Sequence, residues 1–79
     1  MLEFLFKENF ITEFVKEGNY GEVNASVVVK NGNKYNVVYV SYTDGDDIED
    51  IYKKTIGTYD TEKEASDSAS DYFDKNIVG

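Results

Sequence analysis

One short stretch limits what this chain can fold into. Residues 22–30 alternate, with Val23, Ala25, Val27 and Val29 on one side and Glu22, Asn24, Ser26 and Lys30 mostly on the other. That is the period of a half-buried β-strand. Asn31-Gly32 follows at once, and this pair suits the tight turn whose central residues both need positive φ. Residues 34–43 are then β-branched and aromatic on both faces, as in a central strand. A strand, a two-residue turn and a second strand form a hairpin, and every other element must pack against it.

Asp44-Gly45 signals another turn, and residues 51–59 read as a third strand, weakened by Gly57. Thr61 followed by Glu64 is a capping box that starts a helix. Ala65, Ala69, Tyr72, Phe73 and Ile77 mark its inner face. At the other end, Phe4, Phe10, Ile11, Phe14 and Val15 recur at helical spacing within residues 2–17, and Gly18 suits a helix C-cap. Leu2, Leu5 and Phe6 fall off that face. Either the first turn differs in structure, or the helix is buried on two sides. If instead they are exposed, Met1, Leu2, Leu5 and Phe6 form an apolar patch suited to a homodimer or a partner. The expected architecture is α+β in the order α-β-β-β-α: one domain over residues 1–79, with a three-stranded antiparallel sheet and two helices packed on one face.

What is missing bounds the chemistry. The 79 residues contain no Cys and no His. Thiolate metal sites, disulfides and the commonest general base are therefore absent. There is no Arg either, so the planar fork that grips phosphate is lacking. Acidic pairs are abundant, but a catalytic carboxylate needs an apolar pocket to raise its pKa, and a chain this small can hardly form one. No catalytic residues, cofactor or metal are expected, and the chain reads as a binding protein rather than an enzyme. The first residues lack the basic start and the apolar run of a signal peptide or membrane span, so a cytoplasmic location is expected. Plentiful Asn, Lys, Ile and Tyr with no Arg or Pro fit, by the genetic code, an AT-rich genome such as that of a low-GC bacterium or its phage.

The net charge is −8 and lopsided. Residues 1–43 carry Glu3, Glu8, Glu13, Glu17 and Glu22 against Lys7, Lys16, Lys30 and Lys34. The remainder carries Asp44, Asp46, Asp47, Glu49, Asp50, Asp60, Glu62, Glu64, Asp67, Asp71 and Asp74 against only Lys53, Lys54, Lys63 and Lys75. Such a field repels nucleic acid and anionic membranes and attracts basic surfaces. Asp60, Glu64, Asp67, Asp71 and Asp74 repeat every three or four residues, a line of about 21 Å on a helix at ~1.5 Å per residue. One DNA strand presents a charge every ~3.4 Å of axis, so both are linear anionic arrays. The plain reading is a solvated helix face; the concentration of charge in one half favours a binding role. Asp44–Asp50 forms a second cluster. It lacks the order of an EF-hand loop, because Gly45 stands second and no Glu stands at the required distance. Of the seven tyrosines, Tyr39 and Tyr72 read as core, while Tyr42, Tyr52 and Tyr59 are expected to be exposed anchors.

Two resemblances follow. The α-β-β-β-α order over residues 2–77 is similar to the double-stranded-RNA-binding domain. That family grips phosphates with lysines at the start of its second helix, where this chain has Asp60-Thr61-Glu62-Lys63-Glu64, so RNA binding is not implied. The hairpin Lys30-Asn31-Gly32-Asn33-Lys34-Tyr35, the Asp44–Asp50 cluster and the helical acid stripe together look like small acidic phage-encoded inhibitors of host defence, of the anti-CRISPR and DNA-mimicking antirestriction types. That resemblance implies an inhibitor that occupies a basic nucleic-acid site on a CRISPR complex or nuclease, in the host cytoplasm, as a monomer or homodimer. Its contacts would be Asp44, Asp46, Asp47, Glu49, Asp50, Glu64, Asp67, Asp71 and Asp74, with Tyr42, Tyr52 and Tyr59. The same electrostatics also fit an immunity or antitoxin protein for a basic toxin, and a structural or assembly protein stands as a further alternative.

Overall fold

A computed structural model describes residues 1–79. Its centre is the hairpin expected from Asn31-Gly32. Strand β2 (Glu22–Asn31) pairs antiparallel with β3 (Lys34–Thr43) over ten residues, and Gly32 takes φ +64° in the turn. Strand β4 (Tyr52–Tyr59) adds to β3 after a loop that turns at Gly45, where φ is +96°. The capping box forms as expected. The Thr61 hydroxyl accepts the Glu64 amide at 3.2 Å and donates to the Glu64 carboxylate at 2.9 Å. Helix α2 (Glu62–Tyr72) continues from it and widens into π-helical turns over Phe73–Val78.

The N-terminal third differs from expectation. Residues 10–17 form a strand, β1 (Phe10–Glu17), and only Glu3–Phe6 is helical (α1), followed by a single tight turn at Lys7–Asn9. The sheet therefore has four strands, in the order β1-β2-β3-β4, rather than three. The cause is local. Phe10, Ile11, Thr12, Phe14 and Val15 are all β-branched or aromatic, the residues that fit a pleated surface. Between Phe10 and Thr12 the register slips by one residue, a β-bulge. The bulge puts Phe10 and Val15 on one face of the sheet, and Ile11 and Phe14 on the other. Spacings of three and five residues thus imitate a helical stripe although the backbone is extended. The likeness to the double-stranded-RNA-binding domain ends here, because the element order is α-β-β-β-β-α.

The helices also lie on opposite faces rather than on one. Ala65 and Ala69 of α2, both fully buried, seat it on Val28 and Val37, with Ile11, Phe14, Ile56 and Tyr59 around them. The other face, made by Ala25, Val27, Val29, Val38 and Val40, is capped by fully buried Leu2 with Leu5 and Phe6 beside it. Leu2 is thus core, and Leu5 and Phe6 pack half-buried against it rather than forming a fully exposed patch. Glu13 points into this face and holds the cap: its carboxylate accepts the Leu2 amide at 2.8 Å and lies 3.1 Å from the Met1 amino group. The Met1 ammonium is held above its ordinary pKa by hydrogen bonds to Glu3 and Glu13. No helix is long and apolar enough to cross a membrane.

Candidate functional site

The two acidic groups sit in different settings. Loop Asp44–Asp50 leaves the sheet where β3 ends and β4 begins. Helix α2 starts at the opposite end of β4, beyond Tyr59, and runs back over the sheet until Tyr72 lies against Tyr39, with ring centroids 5.9 Å apart. The groups thus begin at opposite ends of the β3–β4 hairpin. Lys53 and Lys54, both exposed, follow the loop on β4.

On α2 much of the acid is paired. Lys63 binds Asp67 at 2.9 Å, and Lys75 binds Asp71 at 3.2 Å, both one helical turn apart. Asp60, just before the helix, is bound by Lys34 from the far side of the hairpin. Its carboxyl lies below the ordinary Asp range because Lys34 donates to it and faces it with a positive charge, and Lys34 and Lys63 are raised by their partners in turn. Glu64 serves the cap. Asp60, Asp67 and Asp71 are therefore paired with lysines, while Glu64 and Asp74 have none.

The loop differs. Asp44, Asp46, Asp47, Glu49 and Asp50 are all exposed, and none forms an ion pair. Asp46 shapes the turn, since its carboxylate accepts the Thr43 amide at 2.9 Å. No three acidic side chains converge as metal ligands would. Ile48 stands in the middle of the acids at 65% exposure, and Tyr52, just past the loop, is 54% exposed. The Tyr52 ring is supported edge-on by Tyr39 at 6.0 Å, so it is a propped aromatic surface.

The other two expected anchors are tied down. Tyr42 is half-buried on the opposite face of the sheet, packed against the Leu2 cluster. Its hydroxyl is pushed up in pKa by burial, then by Asp44, Glu17 and Glu13. Tyr59 is half-buried, and its hydroxyl bonds Ser68 at 2.7 Å, which ties α2 to β4. Gly57 makes room for that ring, because a Cβ there would lie 2.7 Å from the Tyr59 hydroxyl oxygen. Sequence reasoning missed Ile48, although an apolar residue flanked by five acids is a visible signal. It also missed Tyr20, 87% exposed in the β1–β2 turn.

Relatives add nothing to this geometry. The chain matches no known family model, no curated protein and no solved structure. Any role rests on the surface itself: one loop where five unpaired carboxylates surround an exposed isoleucine beside a propped tyrosine.

Proposed function

We propose that this protein is a non-catalytic inhibitor that seats its Asp44–Tyr52 loop in a basic protein site built for nucleic acid. The observation carrying this reading is the pairing of free charge with apolar area in one loop. Charge alone steers an encounter and sets its rate. Lasting affinity needs desolvated anchors within a polar rim. Ile48 and Tyr52 are the anchors. Asp44, Asp46, Asp47, Glu49 and Asp50 are the rim, able to meet Lys and Arg by charge-assisted hydrogen bonds. The helix acids Glu64, Asp67, Asp71 and Asp74 extend the field at longer range.

A site lined with phosphate-binding Lys and Arg is the complement of this loop, and nucleic-acid-handling effectors carry such sites. The target class is therefore a bacterial defence complex, CRISPR effector or restriction nuclease, and the inhibitor type is phage-encoded, acting in the cytoplasm. The test is capture from a low-GC bacterial lysate at two salt concentrations, with the parent and a loop-neutralised variant as bait. Retention of a nuclease or CRISPR effector by the parent, weakened by salt and lost with the neutralised loop, supports the reading. Recovery of one small basic toxin moves the assignment to an immunity protein. Equal capture by both baits rejects the acidic loop as the contact.

A further inference from the structure

One tyrosine of the sheet already holds a cation. Lys30 places its ammonium 4.3 Å from the centre of the Tyr35 ring and donates to the Tyr35 hydroxyl at 3.0 Å. The face of an aromatic ring is electronegative and attracts positive charge. Tyr52 has no such neighbour, although two lysines follow it directly. Lys53 stands opposite Val40, which belongs to the Leu2 cluster, so it points to the other face of the sheet. Lys54 stands opposite Tyr39, one pair further along the face of Tyr52, and does not cap the ring.

The Tyr52 ring is both accessible and held. It is exposed on the outer strand of the sheet, and its cross-strand neighbour is Ser41, too small to cover it. On its inner side it meets Tyr39 at 6.0 Å and 64°, edge against face. Whichever ring supplies the edge, at least one face of Tyr52 stays clear of Tyr39. Tyr39 is fixed in turn. Its hydroxyl donates to the Asn24 side-chain oxygen at 2.6 Å, and its ring meets Tyr72 of α2 at 5.9 Å. Tyr39 is therefore a positioning residue, and a ring supported in this way loses little freedom when a partner covers it.

We infer that Tyr52 is an arginine platform: one arginine of a protein partner stacks on its free face while carboxylates of the preceding loop accept the guanidinium N–H groups. This rests on the reading of the Asp44–Tyr52 loop as the contact for a basic protein site. Residues 44–54 hold five acids and two lysines, a net of −3, so a cation is the favoured occupant despite Lys54. A nucleobase also stacks on tyrosine, but its phosphate would face those carboxylates. Shape favours arginine over lysine. The guanidinium is flat and weakly hydrated, so it lies on a ring and still presents its in-plane N–H groups to carboxylates. The lysine ammonium is compact and strongly hydrated, and it gives up more water to meet the ring.

The experiment is calorimetric titration of the whole protein with two end-capped peptides of equal charge, hexa-arginine and hexa-lysine, at low salt, where charges are least screened. The parent, Tyr52→Leu, Tyr52→Phe and the loop-neutralised variant are compared. The parent is expected to prefer hexa-arginine. Tyr52→Leu should lower that preference about two- to fivefold, by weakening the arginine peptide and leaving the lysine peptide nearly unchanged. Tyr52→Phe keeps the ring and should keep the preference. In the parent, the NMR signals of the Tyr52 ring protons should move more with hexa-arginine than with hexa-lysine, a test that needs no substitution. An unchanged preference in folded Tyr52→Leu overturns the inference, as do equal losses for both peptides, ring signals that ignore hexa-arginine, or a parent that binds neither peptide. The loop-neutralised variant should weaken both peptides. If it binds both as the parent does, the loop reading fails and the platform with it. If only the Tyr52 comparison fails, the loop reading stands and the platform alone is overturned.

Discussion

The Asp44–Asp50 loop and the stripe from Asp60 to Asp74 each hold five acids, yet they differ as surfaces. On the helix, residues four apart are neighbours, so Lys63 and Lys75 reach Asp67 and Asp71 directly. In the loop no lysine pairs with a carboxylate, and the chain projects Ile48 and Tyr52 beside them. Counting acids in a sequence therefore does not measure available charge. Backbone geometry decides which acids are already paired.

The sharpest way to break this comparison is to neutralise each group separately. Changing Asp44, Asp46, Asp47 and Asp50 to Asn and Glu49 to Gln should weaken partner binding about 100-fold or more, roughly 3 kcal/mol at 1.4 kcal/mol per decade. The matching helix variant, with Glu64→Gln and Asp67, Asp71 and Asp74→Asn, should weaken it only a few-fold. Calorimetric titration against the captured partner measures both, and an equal loss would place the contact on the helix as well.

A second variant separates the groups by stability. Ala69 is fully buried on the inner face of α2, so Ala69→Leu overpacks the helix seat and should cost about 2 kcal/mol in urea unfolding. Loop binding should survive wherever the variant remains folded.

Within the loop, Ile48→Ser removes the exposed apolar anchor without touching any charge. Binding should fall about tenfold, about 1.4 kcal/mol, with no change in melting temperature. An unchanged affinity would mean that charge alone makes the contact.

The smallest effect lies in the helix-side pairing. The folded Asp60 has a lowered pKa, so its contribution is present above the unfolded value and lost as pH falls through the lower folded value. Lys34 is raised, so its share fades only as pH rises through its folded value, above the ordinary 10.5. Asp60→Asn should lower the melting temperature slightly at neutral pH, and the gap should close as pH falls through the lowered range of the Asp60 carboxyl. A gap that persists in acid would show that Asp60 acts other than through its charge.

The central hairpin, the Gly45 turn, the Thr61–Glu64 cap and the Ala65–Ala69 seat all follow from short-range rules, and each forms where the residues predict. Residues 10–17 do not read so simply. A single bulge converts an extended strand into a pattern with helical spacing, and periodicity alone cannot separate the two. Enrichment in β-branched and aromatic residues was the signal that pointed the other way. Among the expected contacts, the exposure of Asp44–Asp50 and Tyr52 was readable from polarity and position. The confinement of Tyr42 and Tyr59 was not, because it depends on Leu2 arriving from the far end of the chain and on α2 folding back to bring Ser68 onto Tyr59.

By itself, the sequence determined the central hairpin, the helix with its cap, the lopsided charge and the absence of thiol, imidazole and guanidinium chemistry. These depend on residue identity and on contacts within a few positions. Tertiary structure alone decided that a fourth strand joins the sheet and that Leu2 closes one face while α2 closes the other. It also decided that Lys34 reaches Asp60 across 26 residues and that the loop keeps its charge free. Those outcomes depend on which surfaces meet after the chain has folded, and local spacing carries no record of them.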